Sequence, residues 1–423
     1  MLNTILSAFT VADIRKKLAF TALLLALYRV GSHIPVPGIN TQAVKSLSQF
    51  SSSNILSFLN LFSGGALSKL AVFALGIMPY ITASIILQLL TVVVPSLEKL
   101  SKEGEVGQAR ITQYTRYLTV GLAFAQSIGY VFLFKSLSAS SGVPVITNFD
   151  LAHVFLIVIT LTAGTILLMW MGELITQRGI GNGISLMIFA SIVSRLPSGL
   201  QSWWTSDNQV FKVMMPFIVL GVVASIVFIQ EGQRRIPVQY AKRVIGRRMT
   251  QGGQTYLPLR VNMAGVIPVI FAASIMAFPP TVGQLINTPW AQSISNFFSP
   301  NGWHYVAGES IFIVLFTYFY TAVTFNPVDQ ADNLKKYGGF IPGVRPGRPT
   351  AEFLDRILAR LTFPGALYLA AVAALPTILI ARAHANFFFG GTSVLIVIGV
   401  ALDTMKQLEA QLMMRNYEGF LKT

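Results

Sequence analysis

The chain has 423 residues, of which 53% are apolar and only 11% charged, with a mean hydropathy of +0.63. That lies outside the range of soluble domains and reads as an all-α, multi-pass helical membrane protein. Disulfides and cysteine-ligated metals are excluded because there is no cysteine. The net charge of +15 fits nucleic acid or anionic lipid as partners, but its placement decides what it means.

The start, MLNTILSAFTVADIRKK, puts its charges after a short amphipathic stretch, and no cleavable leader is expected. Ten apolar spans follow, at about 18–36, 71–94, 114–134, 151–171, 183–197, 211–230, 262–280, 306–325, 361–381 and 391–412. Their connections alternate between two sides. One side carries every Lys and Arg except Arg29, Lys45, Lys69, Lys135, Arg195, Lys212 and Arg382. The positive-inside rule then places both termini in the cytoplasm.

Residues 55–95 are the stretch around which the rest is organised. The part from Ala71 to Val94 is long enough to span a bilayer, whereas the part before it is short, rich in serine and broken at Gly64-Gly65. A part-helical segment at membrane depth is tolerated only when buried in protein or lining a water-filled cavity. Its presence implies a pathway.

Two loops on the basic side exceed what topology requires. In residues 231–260 the alternation of Ile236, Val238 and Tyr240, followed by Gly252-Gly253 and Tyr256-Leu257, predicts two strands with a turn at the glycines. That ribbon displays Arg234, Arg235, Lys242, Arg243, Arg247 and Arg248. In residues 326–356, Asp329 to Tyr337 predicts a short helix that stops at Gly338-Gly339, and a proline-glycine run beyond it carries Arg345 and Arg348. Either loop alone would be read as solvated charge; together they favour a docking surface.

The loop QRGIGNGIS, residues 177–185, has three glycines but neither the full dinucleotide spacing nor a preceding strand, so it reads as a tight turn. No GxxxxGK, HExxH or GxSxG string occurs, and neither an enzyme nor a cofactor is expected. Intramembrane polar residues read as few: Arg29, positioned to snorkel from the first span, Glu173 and Asp403 near span ends, and the amides Gln88 and Asn262. The lack of a chain of mid-membrane acids argues against a proton-coupled carrier. His33, His153, His304 and His384 have no paired spacing. Ile77 and Ile81, and likewise Ile184 and Ile188, are four apart and share a helix face. From spacing alone such pairs are ordinary packing.

The segments NLFSGGALSKLAVFALGIMPYITASIILQLLTVV, QRGIGNGISLMIFA, EGQRRIPVQYAKR, LPLRVNMAGVIPVIFA, FNPVDQADNLKKYGGFIPGVRPG and FGGTSVLIVIGVALD closely resemble the bacterial SecY family, the channel subunit of the general protein-secretion machinery. The likeness runs from about residue 13 to the C-terminus. It implies ten transmembrane helices in two five-helix halves, 1–198 and 199–423, related as an inverted repeat around a central hourglass pore. It further implies a plug at about 55–70 with Asn60, Phe62, Gly64 and Gly65, and a pore ring of Ile77, Ile81, Ile184, Ile188, Ile270 and Ile396. The resemblance also implies a lateral gate between the second and third spans on one side and the seventh and eighth on the other, with Gln88 and Asn262 as polar positions. The two basic loops would dock the SecA motor ATPase and the translating ribosome, Arg345 standing at the tip of the second. SecE and SecG are the implied partner subunits. The implied task is passage of unfolded secretory polypeptides across the bacterial plasma membrane, with sideways release of apolar segments into lipid. A small-solute transporter, an intramembrane enzyme and an insertase acting only on membrane proteins are the competing classes.

Overall fold

The structure is a computed structural model that describes residues 11–40, 43, 60, 62–141, 144–146, 149–205, 209–240, 243–245, 248–250, 253–285, 290, 293, 297–298, 302–383 and 391–421. Every predicted span carries a helix. In chain order these are α1 Ala12–Gly31, α2 Met78–Val93 continuing into α3 Pro95–Lys102, α4 Glu105–Ser141, α5 Leu151–Arg178 and α6 Gly183–Val193, the last extended by α7 Leu196–Trp204. Then come α8 Gln209–Glu231, α9 Ile267–Leu285, α10 Trp303–Thr324, a short α11 Pro327–Lys336, α12 Arg348–Ala383 and α13 Gly391–Leu421. Among the described residues six segments are long and apolar enough to cross a membrane, and a seventh joins them if α2 and α3, bent by 100°, count as one span.

The second span is shorter than its apolar run. Its helix begins at Met78, not at Ala71, and its 16 residues reach about 24 Å at the usual rise. Residues 71–77 form turns instead. Gly76 sits at φ +60, a left-handed conformation that ends any approach to a helix from the N-terminal side, and Pro79 then opens the helix where its missing N–H costs nothing.

The chain packs as two units. The first comprises 1–205, 273–306 and 400–423. Its core joins Val36, Leu67, Leu70, Leu75, Val131, Phe134, Ile157 and Leu161. A short antiparallel clip holds the end of α1 to the start of the α2 region: Val36 N–H donates to the Leu70 carbonyl (3.0 Å) and Val72 N–H to that of Ile34 (2.9 Å). The 177–185 loop is a tight turn. Asn182 caps α6 by accepting from the Ile184 and Ser185 amides, and the Thr21 hydroxyl oxygen accepts from the Ile180 amide at 3.3 Å. Next to it Ile14, Ile180, Leu408 and Leu412 form a small apolar cluster.

The second unit comprises 206–272 and 307–399. Between α8 and α9, strands β1 Gln233–Tyr240 and β4 Gln254–Arg260 pair antiparallel with Ile236 opposite Leu257. The predicted turn at Gly252-Gly253 is displaced. Strands β2 Arg243–Ile245 and β3 Arg248–Thr250 also pair antiparallel, with Ile245 opposite Arg248, so the reversal falls between these two strands and ahead of the glycines. Strand β5, Gly339–Phe340, adds to the other edge of β1, with Gln239 opposite Phe340, and ties the two basic loops into one body. Ile236, Val238, Leu259, Phe325, Ile341, Leu354, Ile357 and Leu358 are buried beneath. Burying each such side chain contributes about 1.5–3 kcal/mol, against about 1–2 kcal/mol for fixing a residue's backbone, so these loops can order on their own core.

Candidate functional site

Of the isoleucines assigned to the ring by resemblance, Ile77, Ile81, Ile184 and Ile188 belong to the first unit and Ile270 and Ile396 to the second. Ile77 lies just outside α2 as its N-cap. Its carbonyl accepts from the Ile81 amide at 3.1 Å, so the two side chains still stand one turn apart. Ile184 and Ile188 occupy the first turns of α6. Ile270 lies in the first turn of α9 and Ile396 near the start of α13. All are buried except Ile184, which is half-buried.

The described positions of the segment expected to be the plug form a compact knot. Residues 55–59 and 61 lie outside the described residues. Phe62 is buried, and the Asn60 Oδ1 accepts from the Ser68 amide at 3.1 Å while its carbonyl accepts from the Gly65 amide at 3.0 Å. Gly64 adopts φ +63, and a Cβ there would meet Tyr28 Oη at 2.9 Å and Arg29 Nη1 at 3.2 Å. No side chain fits that turn. What approaches it is a set of donors. Arg29 Nη1 donates to the Gly64 carbonyl at 2.9 Å. Tyr28 Oη lies 3.3 Å from the Ser63 carbonyl and bonds the Ser191 hydroxyl on α6. Arg29, expected to snorkel, is therefore committed to the turn at Gly64. Sequence reasoning had no signal for this contact, which joins residues 35 apart.

The two amides expected at a lateral gate are not equivalent. Gln88 on α2 is half-buried. Asn262, ahead of α9, is buried and donates through Nδ2 to the nearby Gly265 carbonyl at 2.9 Å. Its Oδ1 is left without a hydrogen-bond partner among the described residues.

The basic residues expected to dock partners are described only in part. Arg234, Arg235, Arg345 and Arg348 are exposed on the second unit's sheet and loop. Lys242 and Arg247 lie outside the described residues, and for Arg243 and Arg248 only the strand backbone is described. The expected helix at Asp329–Tyr337 is α11, capped at its start by Asn326, which accepts from the Val328 amide, and ended by Tyr337. The segment beyond it is pinned. Val344 N–H donates to the Ile341 carbonyl and Thr350 N–H to that of Gly347. The Thr350 hydroxyl donates to the Arg345 carbonyl at 2.8 Å.

One intramembrane acid escaped the sequence reading. Glu309, two turns into α10, is buried, and its Oε1 has no hydrogen-bond partner among the described residues. An acid inside an apolar run was signal enough to find it. Because a buried polar group without a partner is costly, Glu309→Leu is expected to raise the thermal midpoint of the purified complex by a few degrees. A lowered midpoint would mean that the carboxyl has a partner when the chain is assembled.

The SecY family model matches residues 71–405. Among curated proteins, the chain is 49% identical to the protein translocase subunit SecY of Mycobacterium bovis over 441 residues and to that of Corynebacterium glutamicum over 445, each match covering 100% of both chains. Among solved structures it shares its fold with one described as a protein conducting channel, at a TM-score of 0.64 and 20% identity over 93% of this chain and 91% of that one. It is similar also to Sec61 of the canine ribosome–channel complex from the endoplasmic reticulum, at a TM-score of 0.60, 19% identity and the same coverage. With a family model covering most of its length and 49% identity to full-length relatives, the chain belongs to the SecY family.

Proposed function

We propose that this chain is the protein-conducting channel of a bacterial plasma-membrane translocase, passing unfolded secretory polypeptides through a ring of Ile77, Ile81, Ile184, Ile188, Ile270 and Ile396. The observation that carries the reading is the full-length identity to protein translocase subunits SecY. The ring suits the task. Branched aliphatic side chains offer a sliding chain no fixed hydrogen-bond partner, and a narrow apolar throat resists ions by dewetting. Residues from about 55 to 70 act as the plug that seats on this throat at rest.

The halves 1–198 and 199–423 then open against each other, and Gln88 and Asn262 form the polar latch of a lateral exit. The Oδ1 of Asn262, without a hydrogen-bond partner among the described residues, supports this, since it needs a donor. Both termini are cytoplasmic, and the chain acts with SecE and SecG. Its basic module receives the SecA motor, and the ribosome during translation. Phosphate contacts with ribosomal RNA would use the arginines of the ribbon.

The test is site-specific crosslinking from Ile81 and Ile188 to a stalled secretory polypeptide in membranes supplied with motor and ATP. Crosslinks at both positions, lost when the signal sequence is deleted, are expected. Export without a crosslink at either would reduce the isoleucines to ordinary packing.

A further inference from the structure

The bidentate pair Arg116–Glu173 does more than tie α4 to α5. Arg116 Nε donates to Glu173 Oε1 at 2.9 Å and Nη2 to Oε2 at 2.7 Å. These bonds leave Nη1 and the second lone pair of each carboxylate oxygen available. The pair sits in the wall of a cavity of about 380 Å³, within the range of small-ligand sites, lined also by Ile166, Met169, Trp170 and Gln177. The cavity is reachable from outside: 43% of the Arg116 side chain and 13% of that of Glu173 are exposed, and Trp170 is exposed.

Its depth is informative. Glu173 lies five residues before the end of α5 and Arg116 just where α4 turns apolar, so the pair stands at the level of lipid headgroups on the basic side. Trp170 is suited to that boundary. An anionic headgroup there would satisfy Arg116 but face the Glu173 carboxylate. A zwitterion satisfies both.

We propose that this cavity binds the headgroup of a phospholipid bearing a phosphate and a primary amine, the phosphatidylethanolamine class. The phosphate meets the free Arg116 edge, and the ammonium donates to the open lone pairs of Glu173. The Ile166 and Met169 walls take the first carbons of the acyl chains. A quaternary choline has no N–H to donate, so phosphatidylcholine forms only half of these contacts.

The test is native mass spectrometry of the purified complex with its partner subunits, exchanged into equal mixtures of phosphatidylethanolamine, phosphatidylcholine and phosphatidylglycerol. The parent complex is expected to retain phosphatidylethanolamine about tenfold over either competitor, the scale of one hydrogen bond to a charged group. Glu173→Gln keeps an acceptor for Arg116 but leaves the site positive, so its preference is expected to pass to phosphatidylglycerol. Equal retention of the three lipids by the parent complex would overturn the proposal. So would an unchanged ranking in an assembled Glu173→Gln complex, since a pair that merely ties two helices would leave lipid choice alone.

Discussion

Replacing Arg29 with leucine is expected to raise the resting ion conductance of the purified complex about tenfold or more in planar bilayers. The Arg29 guanidinium is the charged donor on the turn proposed to belong to the plug, 2.9 Å from the Gly64 carbonyl. A hydrogen bond to a charged group is worth about 1.5–3 kcal/mol, and about 1.4 kcal/mol is tenfold in an equilibrium. On the proposed plug reading, loss of this bond therefore shifts the balance between seated and released states by at least about one decade. Tyr28→Phe tests the second contact more gently. It removes only the hydroxyl shared with Ser63 and Ser191 and keeps the ring stacked on Phe73, with centroids 6.1 Å apart. Its effect should be smaller, because a neutral hydrogen bond contributes about 0.5–1.5 kcal/mol. Gly64→Ala should resemble Arg29→Leu, since its Cβ would strain the φ +63 turn and push against both donors. Resting conductance unchanged in both Arg29→Leu and Gly64→Ala would show that the turn is not what seals the channel.

What the sequence disclosed follows from how each feature is encoded. Spans are encoded by runs of apolar residues, so all ten helices stand where the runs predict them. Boundaries are encoded by single residues. Gly76 and Pro79 therefore shortened the second span, although the apolar run continues through them. The ribbon was legible because Ile236, Val238 and Tyr240 stand at every second position, and α11 because Gly338-Gly339 marks its end, although Asn326 and Pro327 start it two residues ahead of the expected Asp329. Strand β5 was not legible. Two residues carry no period, and what makes Gly339–Phe340 a strand is the free edge of β1, nearly a hundred positions earlier in the chain. The ring isoleucines belong to a third kind. Their spacing is that of any packed helix, and only the resemblance to a family singled them out. Long-range polar contacts such as Arg29 to Gly64 leave no trace in local sequence at all.

The second large effect is expected at the tip of the basic module. Arg345→Glu should lower motor-driven secretion more than tenfold while leaving assembly and thermal stability unchanged. The side chain is exposed, so no packing is lost, and the backbone that presents it is held independently. The Arg345 carbonyl accepts from the Thr350 hydroxyl, and the flanking turns at Gly343 and Gly347 adopt φ +84 and +98. A rigid tip that projects one cation spends little entropy on docking. Truncating one partner of a buried interfacial charge pair costs about 2–5 kcal/mol, and reversing the sign adds repulsion. Arg348 is the internal control. Its Nε lies 3.2 Å from Glu352 Oε1, so part of its charge is already answered within the chain, and Arg348→Glu should impair secretion less. The measurement is ATP-dependent export of a preprotein into vesicles carrying each variant, with motor binding followed in parallel. Normal export by the Arg345→Glu complex would remove Arg345 from the docking surface and move the contact to the arginines of the ribbon.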